Sequence, residues 1–330
     1  LNTQFESGWI PREQIRGNEA KSNAVWDYLT QYPEEGNPPT LMLTVDYLQH
    51  LIRKDSVDSD LIIEYLKSVY PKLKKWFEWW QGSYDGHSYK WYEDQRQMLM
   101  GSGLDNYPRT SMGRKTRYNL DLHCWMTWFA DSLAGFADFL ADFLGEGESK
   151  ELRAKKKTLH ESLSKFRTSD GIYQEILTGG HFQATAFTDH FGYMNLFPFF
   201  FGLGSEADLE KLITKIKEKD SIWTPWGLAS LSKHDPEYRR GEIYWNGPIW
   251  ININYLMLRG LKLYYSNNKI ASDFYEELRR GLVNNVCKVR EEKKYFFEVY
   301  DERNGHGDEA HQYPFTGWTT CIANIVAENY

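Results

Sequence analysis

The sequence predicts an all-α protein, because apolar side chains recur at helical spacing over long stretches and no sustained stretch alternates as a strand does. Residues 61–80 carry apolar side chains at three- and four-residue steps, as one face of a long helix should. Residues 122–140 repeat the pattern. Loops rich in Gly, aromatic and acidic residues alternate with short, plain ones; the rich loops are residues 82–119, 167–191, 220–247 and 293–316. Such alternation is typical of paired helices arranged in a ring.

Helical spacing also predicts most of the remaining chain. It is found in residues 40–54, 149–166, 193–203, 207–219, 248–265, 272–290 and 317–329. Residues 295–299 predict a short strand, because they combine aromatic and β-branched side chains. No domain boundary is visible in the 330 residues, so we expect one catalytic domain over residues 1–330.

A candidate catalytic carboxylate lies in the turn at residues 101–109. Asp105 stands there among glycines and a proline, with Tyr107 and Arg109 shortly after it. Such a turn can hold a carboxylate at a helix end so that it points into a cleft. An aromatic ring and a guanidinium give a carbohydrate site its flat apolar face and its rigid donor. Asp, Asn and Gly are also ordinary turn residues, so the segment alone leaves a purely structural turn open.

A second candidate carboxylate is Glu298, which follows two phenylalanines and precedes Tyr300 by two residues. The acidic residues of the polar loop after it are expected to be solvated; they are Asp301, Glu302, Asp308 and Glu309. A single Glu in an aromatic segment usually has a packed stem and an exposed head. Two carboxylates, each in an aromatic-rich connection, instead suggest the two-carboxylate chemistry of glycoside hydrolysis.

At these residues the sequence resembles the C-terminal catalytic domain of glycoside hydrolase family 63, the family of processing α-glucosidases (mannosyl-oligosaccharide glucosidases). Two matching segments are Ser-Gly-Leu-Asp-Asn-Tyr-Pro-Arg at residues 102–109 and Tyr-Trp-Asn-Gly-Pro-Ile-Trp-Ile-Asn-Ile-Asn-Tyr at residues 244–255. The others are residues 8–15, 37–41, 121–126, 192–198 and 314–318, and all stand in the family's order. Two positions depart from the pattern. Asn106 stands where many members carry a second Asp, and Asn246 where many carry Arg.

The resemblance implies an (α/α)6 toroid. Because the family carries a further segment before the position where this sequence starts, we expect a ring that lacks its first helices. The resemblance also implies an inverting α-glucosidase that removes the terminal α-1,2-linked glucose from the glucosylated N-glycan precursor. Asp105 would be its general acid and Glu298 its general base, with the two carboxyl groups about 6.5–9.5 Å apart. The implied location is the lumen of the endoplasmic reticulum, with a membrane anchor in the full-length protein.

Charged residues near these motifs are predicted to bind the sugar, and each has a structural alternative. Arg12 and Glu13 hold glucose hydroxyls, or they form an ion pair in the first turn of a short helix. Arg109 binds sugar or orients the catalytic Asp. Asp121 binds sugar or caps the helix that it begins.

Aromatic residues complete the predicted substrate-binding set. Trp245 precedes Asn-Gly-Pro in a turn, so we expect its ring face to be open to the site cavity and to stack on a pyranose. Trp250, in contrast, is expected to belong to the core. The other predicted aromatic contacts are Tyr107, Phe315 and Trp318.

Composition excludes several function classes. A formal net charge of −7 gives no basic field, so nucleic acid is not an expected partner. No cofactor is expected, because the glycine-rich loops match neither dinucleotide- nor phosphate-binding motifs. No metal is expected either, because the three cysteines lack ligand spacing and His306 and His311 lie in a flexible acidic loop. No apolar run reaches the length of a membrane span.

Two alternative functions stay open at this point. A related α-glucosidase or trehalase-like glycosidase acting on small α-glucosides would share both carboxylates and differ in the loops beyond the first sugar pocket. A non-catalytic carbohydrate-binding protein is the alternative from another class. Retention of both Asp105 and Glu298 argues against it, because a binding module has no need of a carboxylate pair.

Overall fold

The computed structural model describes residues 1–24, 32–54, 59–93, 99–110, 114–141, 147–178 and 186–330. These residues form two compact units. The first unit comprises Leu1–Asp105 and Asp121–Lys165, and the second comprises Asn106–Leu120 and Phe166–Tyr330. The single catalytic domain over residues 1–330 stays a prediction.

Helices build the first unit. They are α1 (Asn18–Asn23), α2 (Leu41–Arg53), α3 (Ser59–Trp80), α4 (Leu120–Phe139) and α5 (Gly147–Ser162). The apolar face predicted for α3 is buried against α4. Phe129 of α4 meets the rings of Trp76 and Phe77 edge to face, with ring centroids 5.7 and 5.2 Å apart. Because these rings are almost wholly inaccessible to solvent, they fix the two helices against each other.

The second unit combines helices with short strands. Its helices are α6 (Phe197–Phe200), α7 (Glu206–Ile216), α8 (Ile251–Tyr264), α9 (Lys269–Lys293) and α10 (Cys321–Ala327). The strands β1 (Thr116–Tyr118), β2 (Ile176–Leu177) and β3 (Ala186–Phe187) form one antiparallel sheet in that order, with Ile176 opposite Phe187. A second antiparallel pair joins β4 (Trp223–Thr224) and β5 (Gly227–Leu228). Helix α8 packs against α6, α9 and α10.

Most of the predicted helices are confirmed, but two local predictions are wrong. Residues 193–203 do not form one helix: a 3-10 helix, Tyr193–Leu196, is followed by the single turn of α6. Gly202, with a φ of 65°, takes a conformation that ends the helix at little cost for glycine. Residues 295–299 form no strand. Instead the N–H of Glu298 donates to the carbonyl of Gln312 at 3.0 Å, within the loop before α10.

Candidate active site

Glu298 is placed by a buried segment of the second unit between α9 and α10. Its neighbours Phe297, Val299 and Tyr300 are fully buried, and Glu298 itself is 8% exposed. Tyr300 forms a pair of backbone hydrogen bonds with Ile249, at 2.8 and 3.1 Å. The apolar neighbours therefore anchor the segment while the carboxylate is held at its edge.

Two donors meet the Glu298 carboxylate. The hydroxyl of Tyr244 donates to Oε1 at 2.8 Å, and the backbone N–H of Gln312 donates to Oε2 at 3.1 Å. A general base must be ionised before it can take a proton, and both donors match the ionised form. The arrangement thus suits the base chemistry predicted for Glu298. Sequence reasoning missed Tyr244, although it begins one of the segments that resemble the family.

Aromatic rings lie close to Glu298, and the predicted Phe315 and Trp318 belong to this group. The indole N–H of Trp318 donates to the carbonyl oxygen of Glu298 at 3.2 Å. The centroids of Phe315 and Trp318 are 4.8 Å apart, and those of Trp250 and Trp318 are 5.6 Å apart. The second unit therefore brings Glu298, Phe315 and Trp318 together. Their roles in sugar binding stay predictions.

Trp245 belongs to the same aromatic group, but the expectation of an open ring face is wrong. Its ring is 2% exposed and stacks on Trp250, with centroids 3.5 Å apart and planes inclined by 8°. Trp250 is fully buried, as expected. The cause lies in the turn itself: Oδ1 of Asn246 accepts from the N–H of Tyr244 at 3.1 Å, and its Nδ2 donates to the carbonyl of Arg240 at 2.8 Å. The closed turn directs the indole inward.

Asn106 is a further anchor of this turn within the second unit. Its Oδ1 accepts from the backbone N–H of Trp245 at 2.7 Å, and its Nδ2 donates to the carbonyl of Glu242 at 2.8 Å. Only an amide can make both hydrogen bonds, because an ionised carboxylate has no donor. Asn106 therefore has a defined use in this chain.

Arg109 and Tyr107 lie deep in the second unit. Nη1 of Arg109 is 2.6 Å from Oε1 of Glu175, and the two side chains are 6% and 1% exposed. Asn119 donates to the same carboxylate oxygen at 3.0 Å. Tyr107 is buried, and burial raises the pKa of its hydroxyl. These contacts are structural ones; a direct contact of either residue with sugar stays a prediction. Sequence reasoning missed Glu175, because nothing local marks it as the partner of Arg109.

The charged residues predicted in the first unit make structural contacts, although Arg12 and Glu13 lie in no helix, because α1 begins only at Asn18. Arg12 lies 3.5 Å from Glu13 and 3.5 Å from Glu35 in nitrogen-to-oxygen distance. Asp121 is 1% exposed and accepts from the backbone N–H of Leu122 at 2.8 Å, at the start of α4. It also accepts from the indole N–H of Trp91 at 2.9 Å. A capping role for Asp121 is thus present in the fold, and sugar binding by these residues stays a prediction.

Asp105 ends the first segment of the first unit. A 3-10 helix, Met100–Ser102, precedes it, and Gly103 follows that helix with a φ of 73°. Leu104 is buried at 2% exposure, whereas Asp105 itself is half-buried. The predicted turn at a helix end is therefore present. Its catalytic role stays a prediction.

Two acidic residues expected to be solvated are buried instead. Glu302 is fully buried and accepts from Nη1 of Arg239 at 3.0 and 2.9 Å and from the hydroxyl of Tyr238. Asp301 is 9% exposed; burial opposes its ionisation, but the Arg303 guanidinium outweighs this and lowers the pKa of the carboxyl. For Glu302 the expectation failed because its partner Arg239 is remote in sequence. Glu309 is exposed, as expected.

The described part of the chain contains neither a cluster of metal ligands nor a membrane-spanning helix. Among these residues, no three His, Cys, Asp or Glu side chains converge as metal ligands. Nε2 of His311 instead donates to the carbonyl of Ile243 at 2.8 Å. No helix within the described ranges is both long and apolar enough to cross a membrane.

A helix-rich chain that holds a carboxylate among aromatic rings has the features of a carbohydrate-active protein. Residues 1–328 match the family described as "Glycosyl hydrolase family 63 C-terminal domain". The chain therefore belongs to glycoside hydrolase family 63.

Relatives agree with this assignment. The chain is 32% identical to a Schizosaccharomyces pombe protein named "Probable mannosyl-oligosaccharide glucosidase", over 98% of the chain and 46% of that protein. It is 29% identical to the "Mannosyl-oligosaccharide glucosidase" of Saccharomyces cerevisiae, over 97% of the chain and 45% of that protein. The chain thus spans about half the length of these relatives.

A solved structure shows the same fold. The family 63 mannosylglycerate hydrolase of Thermus thermophilus superimposes with a TM-score of 0.71, over 98% of this chain and 85% of that one. The sequence identity is 16%, so the likeness concerns the fold alone. It confirms the predicted all-α, (α/α)6 class.

Proposed function

We propose that the protein is an inverting α-glucosidase that removes the terminal α-1,2-linked glucose from a glucosylated N-glycan, with Asp105 as general acid and Glu298 as general base. The observation that carries the proposal is the setting of Glu298. Its carboxylate is 8% exposed, meets one donor on each oxygen and lies among aromatic rings. Membership in family 63 supports the assignment of a hydrolytic role to this site.

The proposed reaction uses the two carboxyl groups in opposite senses. Glu298 takes a proton from a water molecule, whose oxygen forms the new bond to the anomeric carbon. Asp105 gives its proton to the glycosidic oxygen as the bond between that oxygen and the anomeric carbon breaks. Because the water enters on the face opposite to the leaving group, an α-linkage yields β-glucose. Each turnover leaves a protonated Glu and an ionised Asp, and proton exchange with solvent restores both.

The substrate part of the proposal follows the relatives. Two of them are named mannosyl-oligosaccharide glucosidases, so we infer that the partner is the glucosylated oligosaccharide of an N-glycan. The corresponding location is the lumen of the endoplasmic reticulum, with a membrane anchor in the full-length protein. The aromatic group around Glu298 supports a sugar ligand, because flat rings pack against the C–H faces of pyranoses.

Isosteric variants test the two roles on the full chain. Asp105→Asn and Glu298→Gln remove proton transfer and keep shape, so each should lower kcat by about 10²–10⁴-fold. Glu309→Gln is the matched control for the second, because Glu309 is an exposed carboxylate of the loop that follows. Circular dichroism and binding of the glycan should be unchanged in all three variants. Near-normal turnover of either catalytic variant removes that residue from the mechanism.

A substrate panel tests the specificity. The glucosylated N-glycan precursor should be hydrolysed with a higher kcat/KM than trehalose or small α-glucosides. A preference for the small substrates would favour the related α-glucosidase or trehalase-like alternative. Binding without hydrolysis of any of them would favour the non-catalytic one.

A further inference from the structure

We propose that Tyr244 is a positioning residue that acts through Glu298; this inference rests on the proposed function, in which Glu298 is the general base. The hydroxyl of Tyr244 donates to Oε1 at 2.8 Å, and the N–H of Gln312 donates to Oε2 at 3.1 Å. Because each oxygen has its own donor, rotation of the carboxylate breaks both hydrogen bonds. The base is therefore held in one orientation.

The position of Tyr244 is set by groups other than Glu298. Its backbone N–H donates to Oδ1 of Asn246 at 3.1 Å, and its carbonyl accepts from the indole N–H of Trp250 at 3.0 Å. Its ring packs edge-on against Trp250 at 4.7 Å and lies 4.8 Å from the ring of His311. A hydroxyl held in this way is preorganised, so little ordering is left for the moment of reaction.

The hydrogen bond acts on the charge state as well as on orientation. Hydrogen bonds to an ionised acceptor are stronger than those to a neutral one, so Tyr244 favours the ionised carboxylate. Other titratable groups here are His311, against the Tyr244 ring, and Asp308, whose carboxylate oxygen is 3.9 Å from Nε2 of His311.

The second unit contains a matched control for the loss of this hydroxyl. Tyr238 is also half-buried, and its hydroxyl also donates to a buried carboxylate, that of Glu302. Glu302 has no part in the proposed mechanism. Tyr244→Phe and Tyr238→Phe therefore remove the same group, each time from a carboxylate that keeps another donor, and only the first removal reaches the base.

The test is the pH profile of kcat/KM, together with kcat, KM and Tm, measured on the full chain. In Tyr244→Phe we expect kcat to fall about 10- to 100-fold, the range for loss of a hydrogen bond to a charged group, with little change in KM. The acidic limb of kcat/KM should move to higher pH, because the variant lacks a donor that favours the ionised carboxylate. Tyr238→Phe should leave the limb in place, whatever it does to Tm. Comparing the two variants again in a His311→Gln background excludes a contribution of the His311 imidazole to the shift of the acidic limb.

Two further variants distinguish a positioning role of Tyr244 from a purely structural one and from failure of the proposed function. If Tyr244→Phe lowers Tm far more than Tyr238→Phe does, 3-fluorotyrosine at position 244 serves as a second replacement. It preserves the ring, and its hydroxyl is a stronger donor than that of tyrosine. The acidic limb of kcat/KM should then move to lower pH. An unmoved limb in both Tyr244 replacements, or an equal shift in Tyr238→Phe, overturns the inference. Glu298→Gln separates the two claims. If that variant keeps its turnover, the proposed function fails; if it is inactive while Tyr244→Phe behaves as wild type, only the positioning role fails.

Discussion

Replacement of Arg109 by Met tests whether this residue is a structural ion-pair partner or a sugar contact. The Arg109 and Glu175 side chains are 6% and 1% exposed and lie 2.6 Å apart. Removal of one partner from a buried pair costs about 3–5 kcal/mol, because the other charge stays buried without compensation. Asn119 still donates to Glu175 at 3.0 Å, so we expect a loss near the lower end, about 3 kcal/mol.

Guanidinium chloride unfolding, followed by tryptophan fluorescence, measures this loss. The double variant Arg109→Met/Glu175→Gln removes both charges, and it should recover most of the free energy of unfolding lost in the single variant. A double-mutant cycle then gives the coupling between the two side chains. Unchanged stability in Arg109→Met, or a double variant as unstable as the sum of the two single ones, would refute the reasoning. A rise in KM in the double variant at normal stability would instead indicate a direct contact with sugar.

Three further outcomes follow from other contacts. Burial lowers the pKa of His123 to about 4, so the folded state favours the neutral ring; its contribution is fully present above about pH 6.5 and is lost as the pH falls towards 4. In His123→Gln, the unfolding free energy should therefore fall by about 3 kcal/mol less between pH 6.5 and pH 4 than it does in the wild type. An unchanged slope in this pH range would count against the prediction. Asn106→Asp should lower stability by about 1–3 kcal/mol, because the carboxylate cannot donate to the carbonyl of Glu242, and equal urea midpoints would show that this bond contributes nothing. Trp245→Ala and Trp250→Ala should each lower the free energy of unfolding in denaturant by about 3–5 kcal/mol, since the two rings stack and are buried. A Trp245→Ala variant as stable as the wild type would instead support the original expectation that the Trp245 ring is open to the sugar.

The helical part of the fold could be predicted because its signal is local. Apolar residues at helical spacing predicted α3 and α4, and both were found with their ends displaced by only a few residues. Glu298 could likewise be singled out, because the buried apolar residues that anchor its segment adjoin it in the sequence. In both cases the pattern that allowed the prediction is formed by residues close together in the chain.

The remainder of the site depends on contacts that the sequence does not display. Glu302 was expected to be solvated, but Arg239 and Tyr238, which are remote in sequence, bind and bury it. Trp245 was expected to be open, but the turn closed by Asn246 stacks its ring on Trp250. The contact between Tyr244 and Glu298 also joins distant segments. Tertiary packing therefore decided the charge partners and the ring orientations.

The anomeric form of the released glucose tests the central claim most directly. Proton NMR can follow hydrolysis of an α-1,2-glucosylated oligosaccharide by the full chain during the first minutes, before mutarotation mixes the two anomers. An inverting mechanism, with Glu298 activating water and Asp105 protonating the leaving oxygen, predicts β-glucose as the first product. If α-glucose were released first, the inverting mechanism would be contradicted, because retention requires a covalent intermediate and a nucleophilic carboxylate.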